Sequence, residues 1–350
     1  MNKKNVKIAV VGGGNVGRVL SVLLSSAGYS VEMVCRDNHR AIKIDDSYAF
    51  EVCGDFGRKS YLVPFVTSLD KLKEKKDVII FATKSFDMLD KVSDCLGHLT
   101  PKGTIVTIQN MYSIDKLYSL IPPESSVCMV CDFATFTQNK VTYVRNYNGV
   151  TFGVYNKGAI ARMHLVEEIF DDIMETHITR DIIGFAMGRN IINGAISLLG
   201  GISGLPLKDI LNCKKGRRIF CKIIEESYNV CQRFRINVLP YNNQLDYKIF
   251  TEKTYNGARY RHKIIKALIK QNGMVRSSAI DDLQKGNKTE LRGLLDCILE
   301  YGRKSKTCTQ TLNFLDGILR SIESGKRRIN KNVFTDMILE CNAKSMFLAK

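Results

Sequence analysis

Gly12, Gly14 and Gly17 stand in the spacing G-x-G-x-x-G within Gly12-Gly13-Gly14-Asn15-Val16-Gly17. That spacing suits a phosphate-binding turn. The first glycine permits a tight turn and the second lets the backbone approach a pyrophosphate. The third lets the following helix pack closely with its N-terminus facing the phosphates. Gly12, Gly14, Asn15, Val16 and Gly17 are therefore candidate dinucleotide-binding residues. Arg36 follows the second apolar run, where an acidic side chain would bond a ribose 2′-hydroxyl. An arginine there, with Arg40 four residues on, pairs with a 2′-phosphate instead, which favours NADP(H) over NAD(H). Lys84 and Asn110 close two further apolar runs. Ligands in open α/β sheets bind outside the carboxyl ends of the strands, so both belong on the ligand side.

These residues need strands and helices in alternation. Val6–Val11 reads as a buried parallel strand, followed by a helix over Arg18–Ala27 and a second strand over Ser30–Arg36. Residues 48–67 read as short antiparallel strands around Gly54 and Gly57. Asp77–Thr83 and Thr104–Ile108 continue the sheet, with a helix near Phe86–Leu96 and a turn at Pro101-Lys102-Gly103 between them. Strands at 126–135 and 141–155 and a helix near Ala159–Glu175 close this part. From Arg180 helix follows helix: 182–199, 216–235, 260–271, 289–303, 308–324 and 332–348. The expected architecture is an α/β Rossmann domain with a mostly parallel sheet over residues 1–178, followed by an all-α domain over 179–350. Asn193 lies on the apolar helix 182–199. An unpaired amide in a core costs on the order of 1–3 kcal/mol, so Asn193 is expected to face a ligand cleft rather than the core.

Length and composition agree with two globular domains: 350 residues, 45% hydrophobic and 25% charged. No uncharged apolar run reaches membrane-spanning length and no signal-peptide pattern opens the chain, so a cytoplasmic protein with no membrane contact is expected. The eleven cysteines lack a secretory context and are expected to be reduced. Cys128-Met129-Val130-Cys131 sits in an apolar strand whose alternation sends the two sulfurs to opposite faces, and no second pair completes a zinc site. The five histidines form no spaced pair, and no metal is expected. The net charge of +17 is uneven. Residues 1–178 carry 21 Lys+Arg against 20 Asp+Glu, and residues 179–350 carry 31 against 15. The clusters Lys214-Lys215-Gly216-Arg217-Arg218 and Lys326-Arg327-Arg328 read as solvated helix ends with few aromatics among them. A nucleic-acid partner is therefore not expected, and the basic half suits a small anion.

In order along the chain, these residues resemble the ketopantoate reductases (2-dehydropantoate 2-reductases), and the resemblance covers most of it. The glycine turn and Arg36 are followed by Lys84 in Ala-Thr-Lys-Ser-Phe-Asp, similar to the family's T-K-a segment, and by Gln109-Asn110, similar to its Q-N-G. Arg189-Asn190-Ile191-Ile192-Asn193 falls at its K-x-x-x-N. Ser277-Ser278-Ala279-Ile280-Asp281-Asp282 and Thr289-Glu290 resemble its S-S-M-x-x-D and T-E segments. The resemblance implies a Rossmann domain joined to a helical domain, with NADPH and a small anionic 2-keto acid between them, in a monomer or homodimer. The implied reaction is hydride transfer to a keto carbon, with a proton delivered to the developing alkoxide. It places Arg189, Lys84 and Glu290 at the reacting atoms and Asn110, Asn193, Ser197 and Ser278 on the substrate. Lys84, Asn110 and Glu290 also lie near the cofactor.

The chain departs from the family's pattern at several of these positions. Arg189 stands for the catalytic lysine, and an arginine stays protonated, so it stabilises an alkoxide but is a poor proton donor. Ser197 stands for a second asparagine, Met111 for the glycine of Q-N-G, and Leu291-Arg292-Gly293-Leu294-Leu295 for a run after Thr-Glu. The expected activity is NADPH-dependent reduction of 2-dehydropantoate to pantoate. The alternatives are reduction of a different anionic keto substrate, or an NADP-binding protein of impaired activity whose basic half binds a partner or nucleic acid.

Overall fold

The central strands of the sheet read as continuous apolar runs because they are covered on both faces. In the computed structural model, β1 (Lys7–Val11) lies at the centre of a twelve-stranded sheet, flanked by β2 (Ser30–Val34) and β6 (Lys76–Phe81), both parallel to it. The structure describes residues 5–36, 42–108, 114–241, 245–274, 277, 279–284, 286, 289 and 291–334. Beyond β6 come β7 (Leu99–Ile108) and β8 (Ser126–Cys131), also parallel. Successive side chains of these strands alternate between two cores. Ile8, Val10, Val78 and Ile80 face the side where α1 (Asn15–Ser26) packs, and Ala9, Val11, Ile79 and Phe81 face the other. Each fully buried aliphatic side chain contributes about 1.5–3 kcal/mol. An ion pair from the buried Lys76 Nζ to the half-buried Glu32 at 2.9 Å reaches from β6 past β1 to β2.

The remaining strands extend the two edges. On one side β11 (Val150–Gly153) runs antiparallel to β8, and β12 (Thr176–Ile178) follows it. On the other side β5 (Gly57–Val66) pairs with β2 and turns back antiparallel to β4 (Ser47–Gly54), which carries β3 (Ile42–Ile44) and β10 (Val141–Arg145). The strand β9 (Ala134–Gln138) pairs with β10 and ends this edge. Burial alternates along β4, the pattern of a strand covered on one face only.

Three local expectations change. Pro101-Lys102-Gly103 is not a turn: it lies inside β7, where the register with β6 shifts between Lys76 and Val78. The helix expected over 86–96 is α2 (Ser85–Leu89) and a separate 3-10 turn over Asp94–His98, because Asp90, Ser93 and Asp94 are poor interior helix residues. The strands expected at 126–135 and 141–155 are four, broken at Asp132-Phe133 and again where Asn146 and Gly149 take positive φ. The helix α3 (Ile114–Leu120) precedes β8, and α4 (Ile160–Asp171) precedes β12. The short helices α3 and α6 (Leu207–Asn212) have no counterpart among the helices expected from the sequence.

The chain divides into compact units at Met1–Ile182 and Ile183–Lys350. The second unit is helical: α5 (Ile182–Ser203), α6, α7 (Lys214–Arg233), α8 (Tyr255–Asn272), α9 (Ala279–Gln284), α10 (Leu291–Ser305) and α11 (Gln310–Glu323). By length and composition α5 could cross a membrane, but it is mostly buried. Ile191, Ile192, Leu198 and Leu199 pack in the unit's core with residues of α7, α10 and α11. Glu226 of α7, itself buried, accepts the backbone N–H groups of Thr311 and Leu312 at 2.9 Å each and so caps α11. The helix expected over 332–348 lies almost wholly outside the described residues.

Candidate functional site

In the first unit the glycine turn leaves the carboxyl end of β1. Gly12 has φ +120°, and a Cβ there would sit 2.7 Å from the carbonyl oxygen of Ala82, just past β6. The crowding arises because Gly12 N–H donates to Val34 O at 2.8 Å while Ala82 N–H donates to Val11 O at 2.8 Å, which draws three chain segments together. A Cβ on Gly17 would fall 1.9 Å from Gly12 O, so α1 rests directly on the turn. Gly14 differs: a Cβ would meet nothing within 4 Å. It is the N-cap of α1, with no capping side chain and no acidic residue in the first turn. The helix start therefore offers N–H groups and a positive dipole end to open space, the arrangement that receives an anion. Asn15 Oδ1 accepts from the Thr137 hydroxyl at 2.7 Å, tying α1 to β9, and Val16 packs half-buried on the unit's core.

Since β1, β2 and β6 are parallel, their carboxyl ends share one edge of the sheet. Arg36 stands there, two residues beyond β2 and exposed. Lys84 stands three residues beyond β6, half-buried, as the N-cap of α2. The glycine turn, Arg36 and Lys84 are thus on the same edge of one sheet. Arg18 was not singled out from the sequence. Its Nε donates to Gly13 O at 3.0 Å and its guanidinium lies 5.2 Å from the Phe50 ring centre, which fixes the middle of the turn. Its position in the first turn after the glycines was the available signal. The Thr83 hydroxyl, next to Lys84, is fully buried without a partner among the described residues. Asn110, with Gln109 and Met111, lies outside the described residues, as do Ser278 and Glu290.

In the second unit α5 brings three of the expected residues into line. Arg189, Asn193 and Ser197 are four residues apart, which puts them on one stripe of the helix. Asn193 is exposed, and Arg189 and Ser197 are half-buried. The buried amide is the neighbouring Asn190, whose Nδ2 has no partner among the described residues.

Arg189 is held by a segment from further along the chain. Leu239 N–H donates to Gly184 O at 3.0 Å, and the Leu239 carbonyl oxygen lies where a Cβ on Gly188 would be only 2.2 Å away. The deeply buried Tyr247 hydroxyl donates to Gly188 O, and burial raises that phenol above its ordinary value, keeping it a donor. Between these anchors Tyr241 presents its ring to Arg189, 5.6 Å from ring centre to guanidinium carbon. Further along α5, Ser197 O accepts from the Ser277 hydroxyl at 2.9 Å, which also accepts from Ala279 N–H at 3.2 Å. A Cβ on Gly200 would be 2.9 Å from that of Ser277. The Ser277 end of the Ser-Ser segment is thereby fastened to the turns of α5 that carry Ser197 and Gly200. Thr289 is wholly buried at the start of α10, and Arg292 pairs with Asp316 and Glu323 of α11. Among the described residues no group of three or more His, Cys, Asp or Glu is placed to hold a metal ion. Burial pushes the Cys128 thiol up, so it stays protonated.

Comparison with known proteins gives this geometry a family. Residues 8–157 match the family described as ketopantoate reductase PanE/ApbA, and residues 181–323 match its C-terminal domain. The 2-dehydropantoate 2-reductase of Pyrococcus abyssi is 22% identical over 309 residues, 85% of this chain and 91% of that protein. That of Aquifex aeolicus is 22% identical over 328 residues, 91% and 97% of the two chains. Among solved structures, a PanE/ApbA family ketopantoate reductase from Ralstonia eutropha superposes with a TM-score of 0.74 at 18% identity, covering 91% of this chain and 99% of that one. A D-mandelate dehydrogenase solved with NADH and anilino(oxo)acetate gives 0.75 at 15% identity, with the same coverage. The two family matches together span most of the sequence, and the chain belongs to the ketopantoate reductase PanE/ApbA family of oxidoreductases.

Proposed function

We propose that this chain is an NADPH-dependent reductase of a small 2-keto acid, with 2-dehydropantoate as substrate and pantoate as product. The observation that carries the cofactor half is the open, uncapped helix start at Gly14, with Arg36 on the same sheet edge. Those features fit a dinucleotide phosphate: the backbone at 14–17 takes the pyrophosphate and the Arg36 fork takes a 2′-phosphate. NADPH, when bound, supplies the hydride. Asn15, Val16 and the crowded Gly12 and Gly17 shape that turn.

The chain's own residues then do the remaining work. Arg189, fixed in orientation by Tyr241, offers a permanent positive charge to the substrate carboxylate or to the developing alkoxide. Proton delivery falls to Lys84, or to a water ordered by Asn193 and Glu290. Ser197 and Ser278 bond the substrate, and Asn110 and Glu290 lie near it and the cofactor in this reading. A panel of 2-keto acids with NADPH and NADH, followed by loss of reduced-cofactor absorbance, tests the proposal. Turnover of 2-dehydropantoate above the other acids supports it, and absence of turnover with every acid refutes it.

A second reading is a reductase of another anionic keto acid. Arg189 in place of the family's lysine favours it, as does the similarity to a D-mandelate dehydrogenase. On this reading the panel finds a better substrate than 2-dehydropantoate. If instead Arg189→Lys raises turnover of 2-dehydropantoate, the arginine is a departure within the same reaction.

A further inference from the structure

The helix α8 has an exposed face that the reductase reading does not use. Between Glu252 and Asp281 every charged residue of the sequence is a lysine or arginine. On α8, Tyr255, Arg259, Lys263, Lys266 and Lys270 are all exposed, and at about 100° per residue they fall within an arc of about 100°. The stripe runs for roughly 22 Å along the axis, from Tyr255 to Lys270. Tyr255 is 83% exposed and Tyr260, at the border of the stripe, 55%. Lys263 Nζ lies 5.6 Å from the Tyr260 ring centre. Among the described residues no acidic side chain pairs with Arg259, Lys263, Lys266 or Lys270. The opposite arc, Ile265 and Leu268, is sealed in the core of the helical unit.

We propose that this face of α8 binds single-stranded nucleic acid, with Arg259, Lys263, Lys266 and Lys270 meeting phosphates and Tyr255 and Tyr260 stacking on bases. A row of unneutralised cations with exposed aromatic rings set among them is the combination that follows a flexible polynucleotide without reading its sequence. The clusters at 214–218 and 326–328 have the charge but not the rings. An anionic membrane is a poorer fit, because a helix lying on a bilayer sinks its apolar arc into the acyl boundary, and that arc of α8 is occupied by the protein's core. The inference stands independently of the reductase reading.

Fluorescence anisotropy of a labelled oligouridylate of about a dozen nucleotides, titrated with the full chain, tests it. Two variants lose the same charge: Lys263→Gln/Lys266→Gln/Lys270→Gln on the stripe, and Lys326→Gln/Arg327→Gln/Arg328→Gln away from it. The stripe variant is expected to weaken binding at least about tenfold and the other by less than about threefold. Tyr255→Ala/Tyr260→Ala, which changes no charge, is expected to weaken single-strand binding by about tenfold and leave duplex binding unchanged. Equal loss in the two charge variants overturns the proposal, as does an unaffected tyrosine variant. So does capture by phosphatidylserine vesicles without binding to the oligonucleotide.

Discussion

The guanidinium of Arg189 lies over the ring of Tyr241, 5.6 Å from its centre. An aromatic face attracts a flat cation and orients its plane, so the hydrogen-bonding edge of Arg189 points where the ring allows. A lysine ammonium, a compact point charge, would gain less orientation from the same ring. If Arg189 receives the keto acid, Tyr241→Leu raises the KM for that acid by about tenfold while the KM for NADPH stays within about twofold. Tyr241→Phe keeps the ring and restores both values. Steady-state kinetics of the two variants decide whether the ring acts through Arg189 or only supports the fold.

The glycine turn separates packing from ligand approach. Gly17→Ala drives a Cβ into Gly12 O and is expected to destabilise the first unit by about 2 kcal/mol or more, measured by urea unfolding. Gly14→Ala meets no protein atom, so its unfolding midpoint should match that of the parent chain. Its methyl group stands where the pyrophosphate is proposed to approach, and NADPH affinity by fluorescence titration is expected to fall by about tenfold or more. Unchanged NADPH binding in Gly14→Ala would mean that the turn serves the fold alone.

Arg36 is exposed, and the proposed function gives it the 2′-phosphate. Arg36→Gln removes the fork, so kcat/KM with NADPH is expected to drop about tenfold or more and with NADH to change little. Equal losses with both cofactors would assign Arg36 another task.

Glu226 tests the helical unit. It caps α11 from the buried side of α7, and Glu226→Ala leaves two helix-terminal N–H groups unpaired, at a cost of about 1–3 kcal/mol in unfolding free energy. Burial also raises the Glu226 carboxyl above its ordinary value. A carboxyl raised in the fold contributes stability below its unfolded value, and that contribution is lost as pH rises through the folded one. The stability of the parent chain relative to Glu226→Gln is therefore expected to fall as pH climbs from about 4 towards neutrality.

Much of the first unit was legible because its signals are local. A strand covered on both faces must be apolar along its covered length, as Ile8–Val11 and Val78–Ala82 are, and a glycine forced by a close approach shows at Gly12 and Gly17. The strand breaks at Asp132 and Gly149 were harder to see, since short apolar runs on both sides read as one. In the helical unit, Asn190 and Asn193 lie on the same apolar helix. Which of them turns inward depends on α7, α10 and α11 packing around it, and no local pattern reports that. Tyr241 is distant from Arg189 along the chain and meets it because its neighbours Leu239 and Tyr247 are fastened to α5. Ser277 reaches Ser197 in the same non-local way.

As proposed, this member of the ketopantoate reductase family reduces a 2-keto acid with NADPH. The most direct measurement is kcat/KM for 2-dehydropantoate with NADPH and with NADH, under identical conditions and with the hydroxy-acid product identified. The expected result is formation of pantoate with a preference for NADPH of about tenfold or more. Oxidation of neither cofactor by 2-dehydropantoate or any other 2-keto acid would contradict it.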